Sequence, residues 1–346
     1  MPAYGVMLQI GGERYEDAFN LAEPYDRKTH VFYLPEAAYR PGEKAALLFK
    51  RFKRGKAEYK KAFTLPAPDF ADEEALLAEY DHGVTVVTEE KETLYEGLTY
   101  TKFTCKDNEG KPVILSLLKT DLRRTALYVG TPADGYAARK VKATIPDMAA
   151  AAEANGKNVL AGVNADFFDI FGDNHPSGLC VKNGKLISNE RRERPYIGVT
   201  KDGKAVIAEQ NAQPELTAQL WQAAAGMQLI VKDGRLFEWA PLEPFSYVRH
   251  PRTAAGVTAD GTVLLLEADG RIPAHSNGMS LVDLGRFMIK LGAVRAVNLD
   301  GGGSSAVYTK TDGDFTLRTV PADLFFPNDK LIRKDFNALF VIANDF

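Results

Sequence analysis

The chain has 346 residues, of which 45% are hydrophobic and 26% charged, and a formal net charge of −3. This is ordinary globular composition, without the basic excess of a general nucleic-acid binder. No run approaches the ~18 to 20 apolar residues of a membrane span, and the length allows one large domain or two unequal ones.

Met1 to Ile10 lacks the basic start and long apolar stretch of an export signal. The chain as written therefore reads as cytoplasmic, or as secreted or of the cell envelope if a leader has been removed. Residues 1–66 read as a small β-rich module of unassigned role. VMLQI and HVFYLP are strand-like. KAALLFKRFKRGKAEYKKAFTL predicts a hairpin around Arg54-Gly55, with a basic face of Lys50, Arg51, Lys53, Arg54, Lys56, Lys60 and Lys61. An anionic polymer would suit that face; the plainer reading is an edge guarded by Lys and Arg. Residues 67–83 have linker composition, with a short helix expected at ALLAEY.

Residues 84–346 are expected to form one α+β domain, a mainly antiparallel mixed sheet with packed helices. TYTKFTCKD and KPVILSLLK flank a turn at Asn108-Glu109-Gly110. A helix follows, with Pro146 in its first turn, Ile145, Met148 and Ala152 on one face, and Gly156 past its end. NVLAGVN is then a strand. Asn183-Gly184, Asp202-Gly203, Asp233-Gly234 and Asp260-Gly261 each sit between strand-like runs, a strong hairpin signal. Ser280 caps a second helix whose apolar face is Leu281, Leu284, Met288 and Leu291, with Gly292 at its end. Cys105 and Cys180 read as buried thiols, having no CxxC spacing.

The strand from Val294 to Leu299 delivers the most unusual stretch, NLDGGGSS (Asn298–Ser305). Three glycines between apolar runs mark unusual dihedrals or a close approach. Backbone N–H groups freed in this way can form an anion-binding nest. No Lys follows, so this is not a Walker loop. Other polar residues gather at strand ends: Asn164, Asp166 and Asp169; Asp173, Asn174, His175 and Ser177; Arg249, His250, Arg252 and Thr253; Glu267, Asp269 and Arg271; His275, Ser276 and Asn277. About half are expected to be structural. A nest with an Arg points to a phosphate or carboxylate ligand. Carboxylates at the same mouth point to polyol recognition or acid–base work. The pattern does not spell structural zinc, GxSxG or HExxH.

VNADFF, PSGLCVKNGKLI, HPRTAAGV, EADGR and SNGMSLVDLGRFMIKLGAVRAVNLDGGGSS, in that order, resemble the phosphodiester glycosidase family. That family includes the catalytic domain of the uncovering enzyme and many bacterial proteins. The resemblance runs from about Thr99 to Phe346; Ala165 stands where the family commonly has Gly. It implies hydrolysis of the sugar C1–O bond of a sugar-1-phosphodiester resembling a GlcNAc-1-phosphodiester, with a carbohydrate phosphodiester or glycopolymer as partner. Carried onto this chain, it makes Asp166, Asp300 and Arg252 the catalytic group, with Asp166 as base or nucleophile. Asp300 could pair with Arg252, bind sugar hydroxyls or hold a divalent cation; no other cofactor or metal is implied. The substrate-binding set is Asn164, Thr253, Asp269, His275, Ser276, Asn298, Gly301, Gly302, Gly303 and Ser304. The alternative from another class is a non-catalytic carbohydrate- or phosphopolymer-binding module of the bacterial cell envelope. A metal-dependent phosphodiesterase would need a tighter Asp/His set. The sugar, the aglycone, retention or inversion, and oligomeric state stay open.

Overall fold

Turn chemistry sets the order of strands. In the computed structural model, Asn183-Gly184 (φ 49° and 71°) and Asp233-Gly234 (φ 52° and 72°) are left-handed at both residues, as a two-residue hairpin turn requires. Asp312-Gly313 (φ 52° and 92°) is a third such turn, which the sequence reading passed over. At Asp202-Gly203 and Asp260-Gly261 only the glycine is left-handed, at 82° and 84°. These are three-residue loops closed by the bonds Thr200 N–H to Lys204 O and Thr258 N–H to Thr262 O. Asn108-Glu109-Gly110 closes the same way, between Asp107 and Lys111.

The structure describes residues 83–237, 246, 248–322 and 332–344 in full, and 4–10, 13–19, 44–51 and 57–64 as backbone strands. The chain packs as two units, residues 1–80 and 81–346. In the first, Glu13–Phe19, Tyr4–Ile10, Lys44–Arg51 and Ala57–Thr64 form an antiparallel sheet in that order. The strand at HVFYLP, the Arg54-Gly55 turn, the basic face, the linker and the ALLAEY helix lie outside the described residues.

The second unit is mostly antiparallel β-structure in three sheets, where the sequence suggested one. An eight-stranded sheet runs Arg235–Leu236, Gln228–Lys232, Ala293–Asn298, Arg252–Thr258, Val263–Ala268, Pro112–Thr120, Leu98–Asp107, Val84–Tyr95. A five-stranded sheet runs Asp314–Leu317, Val307–Thr311, Val159–Asn164, Ala338–Ala343, Thr125–Gly130. The third runs Lys185–Asn189, Leu179–Lys182, Leu220–Ala225, Pro195–Thr200, Ala205–Glu209. Every strand pairing among the described residues is antiparallel, which corrects the expectation of a mixed sheet. The physical reason is the hairpin-rich connectivity, since parallel neighbours need long crossovers.

Side chains from all three sheets share one apolar core, including Leu118, Leu265 and Val297, Val163 and Leu339, and Ile197 and Ala224. The helix Leu281–Lys290 is capped by Ser280, whose hydroxyl accepts from Asp283 N–H at 3.0 Å. Its Leu281, Leu284, Phe287 and Met288 pack on the eight-stranded sheet at Leu115, Ala254 and Leu264. The helix Ile145–Ala154 lays Ile145, Met148 and Ala152 on the five-stranded sheet at Tyr128, Val159 and Phe340. Cys105 and Cys180 are buried free thiols.

Phe340 is fully buried over two glycines on neighbouring strands. A Cβ at Gly130 would stand 2.0 Å from its ring and one at Gly162 2.3 Å. Gly162→Ala is therefore expected to destabilise the unit by about 1 to 3 kcal/mol through overpacking, read as a lower urea midpoint with an unchanged slope. An unchanged midpoint would show that the ring can move aside.

Candidate active site

Asn164 ends the strand Val159–Asn164 and is fully buried. Its side-chain N–H donates to Asp300 O at 2.6 Å. Its Oδ1 accepts from the Thr253 hydroxyl at 2.8 Å and from Ala306 N–H at 3.2 Å. Backbone bonds reinforce the clasp: Asp300 N–H to Ala165 O, Leu299 N–H to Thr253 O, and Gly302 N–H to Pro251 O. The glycine loop is thus pinned between the eight-stranded sheet and a five-stranded one.

Beside this clasp is a cavity of about 240 Å³, lined by Phe167, His250, Pro251, Arg252, Arg271, Asp300, Gly301, Gly302, Gly303 and Arg333. It brings together Arg252, Asp300 and the glycine loop, as expected. A larger cavity, about 950 Å³, lies at the far end of the strand Arg252–Thr258 and shares none of these residues. The smaller one is the candidate site, because the chemistry is gathered there. Among the described residues Asp300 is the one carboxyl lining it, together with Arg252, Arg271 and Arg333.

Close approach explains two of the glycines. Gly302 has φ of 65°, and a Cβ there would stand 2.9 Å from the Arg271 guanidinium. A Cβ at Gly301 would stand 2.7 Å from Pro251 O. The expected nest is largely spent, however. Gly301 N–H donates to Asp300 Oδ1 at 2.8 Å, Gly302 N–H to Pro251 O, Ser304 N–H to Gly301 O and Ser305 N–H to Gly302 O. A loop this tight consumes its own amides, so the guanidinium groups supply most of the positive potential.

Those groups differ in setting. Arg252 is almost fully buried and donates through Nε to Met279 O at 3.3 Å and through Nη2 to Val248 O at 2.9 Å. Burial and the neighbouring Arg271 draw its pKa down to about 10, so it stays charged at neutral pH. Arg271 lies against Gly302, and Arg333 donates to the Ser304 hydroxyl at 3.3 Å. Burial, with Arg252 and Arg271 nearby, lowers the His250 pKa below its ordinary value, which favours neutral imidazole. Burial raises Asp300 to about 6, against the opposing pull of bonds from Ser304 and Gly301 and of Arg333 and Arg271. Arg271 and Arg333 thereby place positive charge near Asp300.

Asp166 is placed differently from the expectation. It is 2% exposed and does not line the cavity; its carboxyl is enclosed near Asn337 and the Ala225 backbone. Its backbone N–H donates to Asn337 Oδ1 at 2.9 Å. Burial pushes its pKa well above its ordinary value, against the opposing pull of Asn337 and the Ala225 backbone. Asn298 is buried and donates to Gln228 Oε1 at 2.9 Å. Thr253 serves Asn164. Ser276 is buried, donating to Asp269 O at 2.6 Å and accepting from Ile114 N–H at 3.1 Å. Asp269 Oδ2 pairs with His275 Nε2 at 2.7 Å while its Oδ1 accepts Val320 N–H at 2.9 Å. These residues frame the site without lining it. Asp169, Asp173 and His175 could share a cation by distance, but they lie outside the cavity, and Arg139 already pairs with Asp173.

Phe167 and Arg333 were missed by sequence reasoning. Phe167 lies inside the apolar-looking ADFFD. Arg333 stands in a charged stretch, LIRKD, with no motif around it, and only the return of the chain to the sheet brings it to Ser304.

A buried clasp, a tight glycine loop, one carboxyl and three arginines mark the candidate site of a β-rich protein. The phosphodiester glycosidase family model matches residues 157–341, more than half of the chain. The chain belongs to the phosphodiester glycosidase family. Human N-acetylglucosamine-1-phosphodiester alpha-N-acetylglucosaminidase is 27% identical over 211 residues, covering 55% of this chain and 37% of that protein. The SPbeta prophage-derived uncharacterized protein YomE of Bacillus subtilis is 24% identical over 240 residues, covering 65% of this chain and 35% of that protein. The chain thus spans little more than a third of the length of these two relatives. Among solved structures, the zebrafish N-acetylglucosamine-1-phosphodiester alpha-N-acetylglucosaminidase catalytic domain, auto-inhibited by its pro-peptide, superposes with a TM-score of 0.58. It is 20% identical, and the match covers 76% of this chain and 88% of that one, which is a likeness of fold.

Two outcomes test this geometry. Asn164→Ala leaves the Thr253 hydroxyl, Ala306 N–H and Asp300 O without their buried partner; at ~1 to 3 kcal/mol for each orphaned group, a loss of about 3 kcal/mol is expected in chemical denaturation. Asp300→Asn tests the raised pKa. Because the folded state holds the Asp300 proton more tightly than the unfolded chain does, wild-type stability contributed by this group is lost as pH rises toward about 6. The variant is expected to melt higher than wild type above pH 6 and alike near pH 4. Equal melting at both would place Asp300 at its ordinary pKa.

Proposed function

We propose that the cavity binds the phosphate and anomeric carbon of a sugar-1-phosphodiester and that the chain hydrolyses its C1–O bond. The observation that carries this is one carboxyl, Asp300, in a small pocket with Arg252, Arg271 and Arg333. At about 240 Å³ it is smaller than the ~300 to 1,000 Å³ of whole-ligand pockets. It suits the reacting centre, with the rest of sugar and aglycone outside. In this reading residues 84–346 are an α+β catalytic domain, residues 67–83 link to it, and residues 1–66 are a separate β-rich module.

Bond cleavage at C1 sends the electron pair to the phosphate oxygen, and water supplies the hydroxyl that ends on the sugar. The leaving phosphate monoester has a second pKa near 6, so strong general-acid help is unnecessary. The guanidinium groups stabilise the charge that grows on it. Asp300, as carboxylate, faces the anomeric carbon, either taking the proton of the attacking water or forming the glycosyl ester that water then opens. Ser304 and Gly301 hold it in place. In this reading Asp300 takes the part expected of Asp166, because Asp166 is buried and does not line the cavity. The glycine loop contributes by letting Arg271 approach.

Hydrolysis of a GlcNAc-1-phosphodiester, followed by released sugar, tests the proposal. Asp300→Asn is expected to abolish turnover. Arg271→Ala should lower kcat/KM by about 10² to 10³, affecting binding and rate together, because it meets charge present in both states. Asp166→Asn should stay within a few fold of wild type; its loss of turnover with intact folding would return catalysis to Asp166. For wild type, kcat/KM should rise with pH through about 6 as Asp300 ionises. A fall over that range would make Asp300 a proton donor. Tight binding with no turnover of any sugar-1-phosphodiester would favour the non-catalytic binding module.

A further inference from the structure

We propose that the large cavity at the opposite end of the strand Arg252–Thr258 is a second binding site, for a neutral oligosaccharide stacked on Trp221. It is distinct from the cleft. Arg252 lines one and Thr258 the other, and six strand steps of ~3.3 Å separate these two residues by about 20 Å.

The platform is built into the fold. Trp221 is on the strand Leu220–Ala225, and its carbonyl accepts from Gly184 N–H at 2.7 Å. A Cβ at Gly184 would stand 3.0 Å from the six-membered ring of its indole. The indole therefore packs against the Asn183-Gly184 turn. The ring is still 46% exposed and lines the cavity. An aromatic held against a turn with surface left open offers an apolar contact at little entropic cost, and such a surface suits the C–H face of a pyranose ring.

Charge selects the ligand class. The lining holds four cations and three carboxylates. Arg123 pairs with Asp121 at 2.8 Å and Lys204 with Asp202 at 2.7 Å, and Lys201 donates to Ala218 O at 3.1 Å. With four cations against three carboxylates, the lining carries a smaller positive excess than the cleft, which suits a neutral ligand better than a phosphate. What remains is an aromatic plane amid short-range polar groups, which is the chemistry of polyol recognition. The volume of about 950 Å³ is at the upper end for ligand pockets (~300 to 1,000 Å³) and has room for more than one sugar ring.

The chain has two tryptophans, so Trp239→Phe leaves Trp221 as the only indole reporter. In that background, chitotetraose, cellotetraose and maltotetraose are titrated into the millimolar range while Trp221 emission is followed. A saturable shift with at least one is expected. By calorimetry, Trp221→Ala should bind that sugar at least about tenfold more weakly, and Trp221→Phe should retain most of the affinity. Arg271→Ala should leave this binding unchanged, and Trp221→Ala should leave turnover at the cleft unchanged, so failure here is distinguishable from failure of the proposed hydrolysis. No saturable shift with any of the three sugars overturns the proposal, as does unaltered affinity in Trp221→Ala. A Trp221 signal that depends on protein concentration and not on sugar also overturns it, since the face would then be a self-association surface.

Discussion

The Asn164 side chain is the interaction on which the site depends. One amide makes three hydrogen bonds, a half-buried one to the glycine loop and buried ones to Thr253 and Ala306. It joins the end of a strand in one sheet to the start of a strand in another. No apolar side chain could do this, because the groups it satisfies are a carbonyl, a hydroxyl and an amide, each costly to bury alone. Once they are joined, the loop after Asn298 has little freedom left, and Asp300 projects where the loop puts it.

The electrostatics follow from that placement. Burial drives Asp300 toward the protonated form while Arg333 and Arg271 draw it back, leaving a pKa of about 6. Asp166 is two residues beyond Asn164 and just as acidic in isolation, but it is enclosed away from the cavity, and burial pushes its pKa well above its ordinary value. The difference between the two carboxyls is one of surroundings. Most amides of the glycine loop are used to close the turn, and the arginines stand beside it.

The strand Arg252–Thr258 joins two unlike ends. At one, cationic side chains crowd a small pocket with a single carboxyl. At the other, paired charges surround an aromatic plane. Its interior is fully buried between neighbours on both sides, so the ends are where polar chemistry is affordable.

Much of the framework was legible in the residues themselves. Asn-Gly and Asp-Gly pairs specify hairpins because they tolerate left-handed dihedrals, and the Ser280 cap with its apolar face specifies the helix. The three-glycine loop was legible as a site for the same local reason. Other features were not local. Whether hairpins join into one sheet or three depends on which apolar faces meet, and a strand's own pattern does not say. Arg333 reaches Ser304 across 29 residues, and Asn164 reaches Asp300 across 136. The sequence alone determined which side chains could carry the chemistry and that they sit at strand ends. Only the tertiary structure decided that Asp300 faces the cleft and Asp166 does not, because burial is a property of the neighbours and not of the residue.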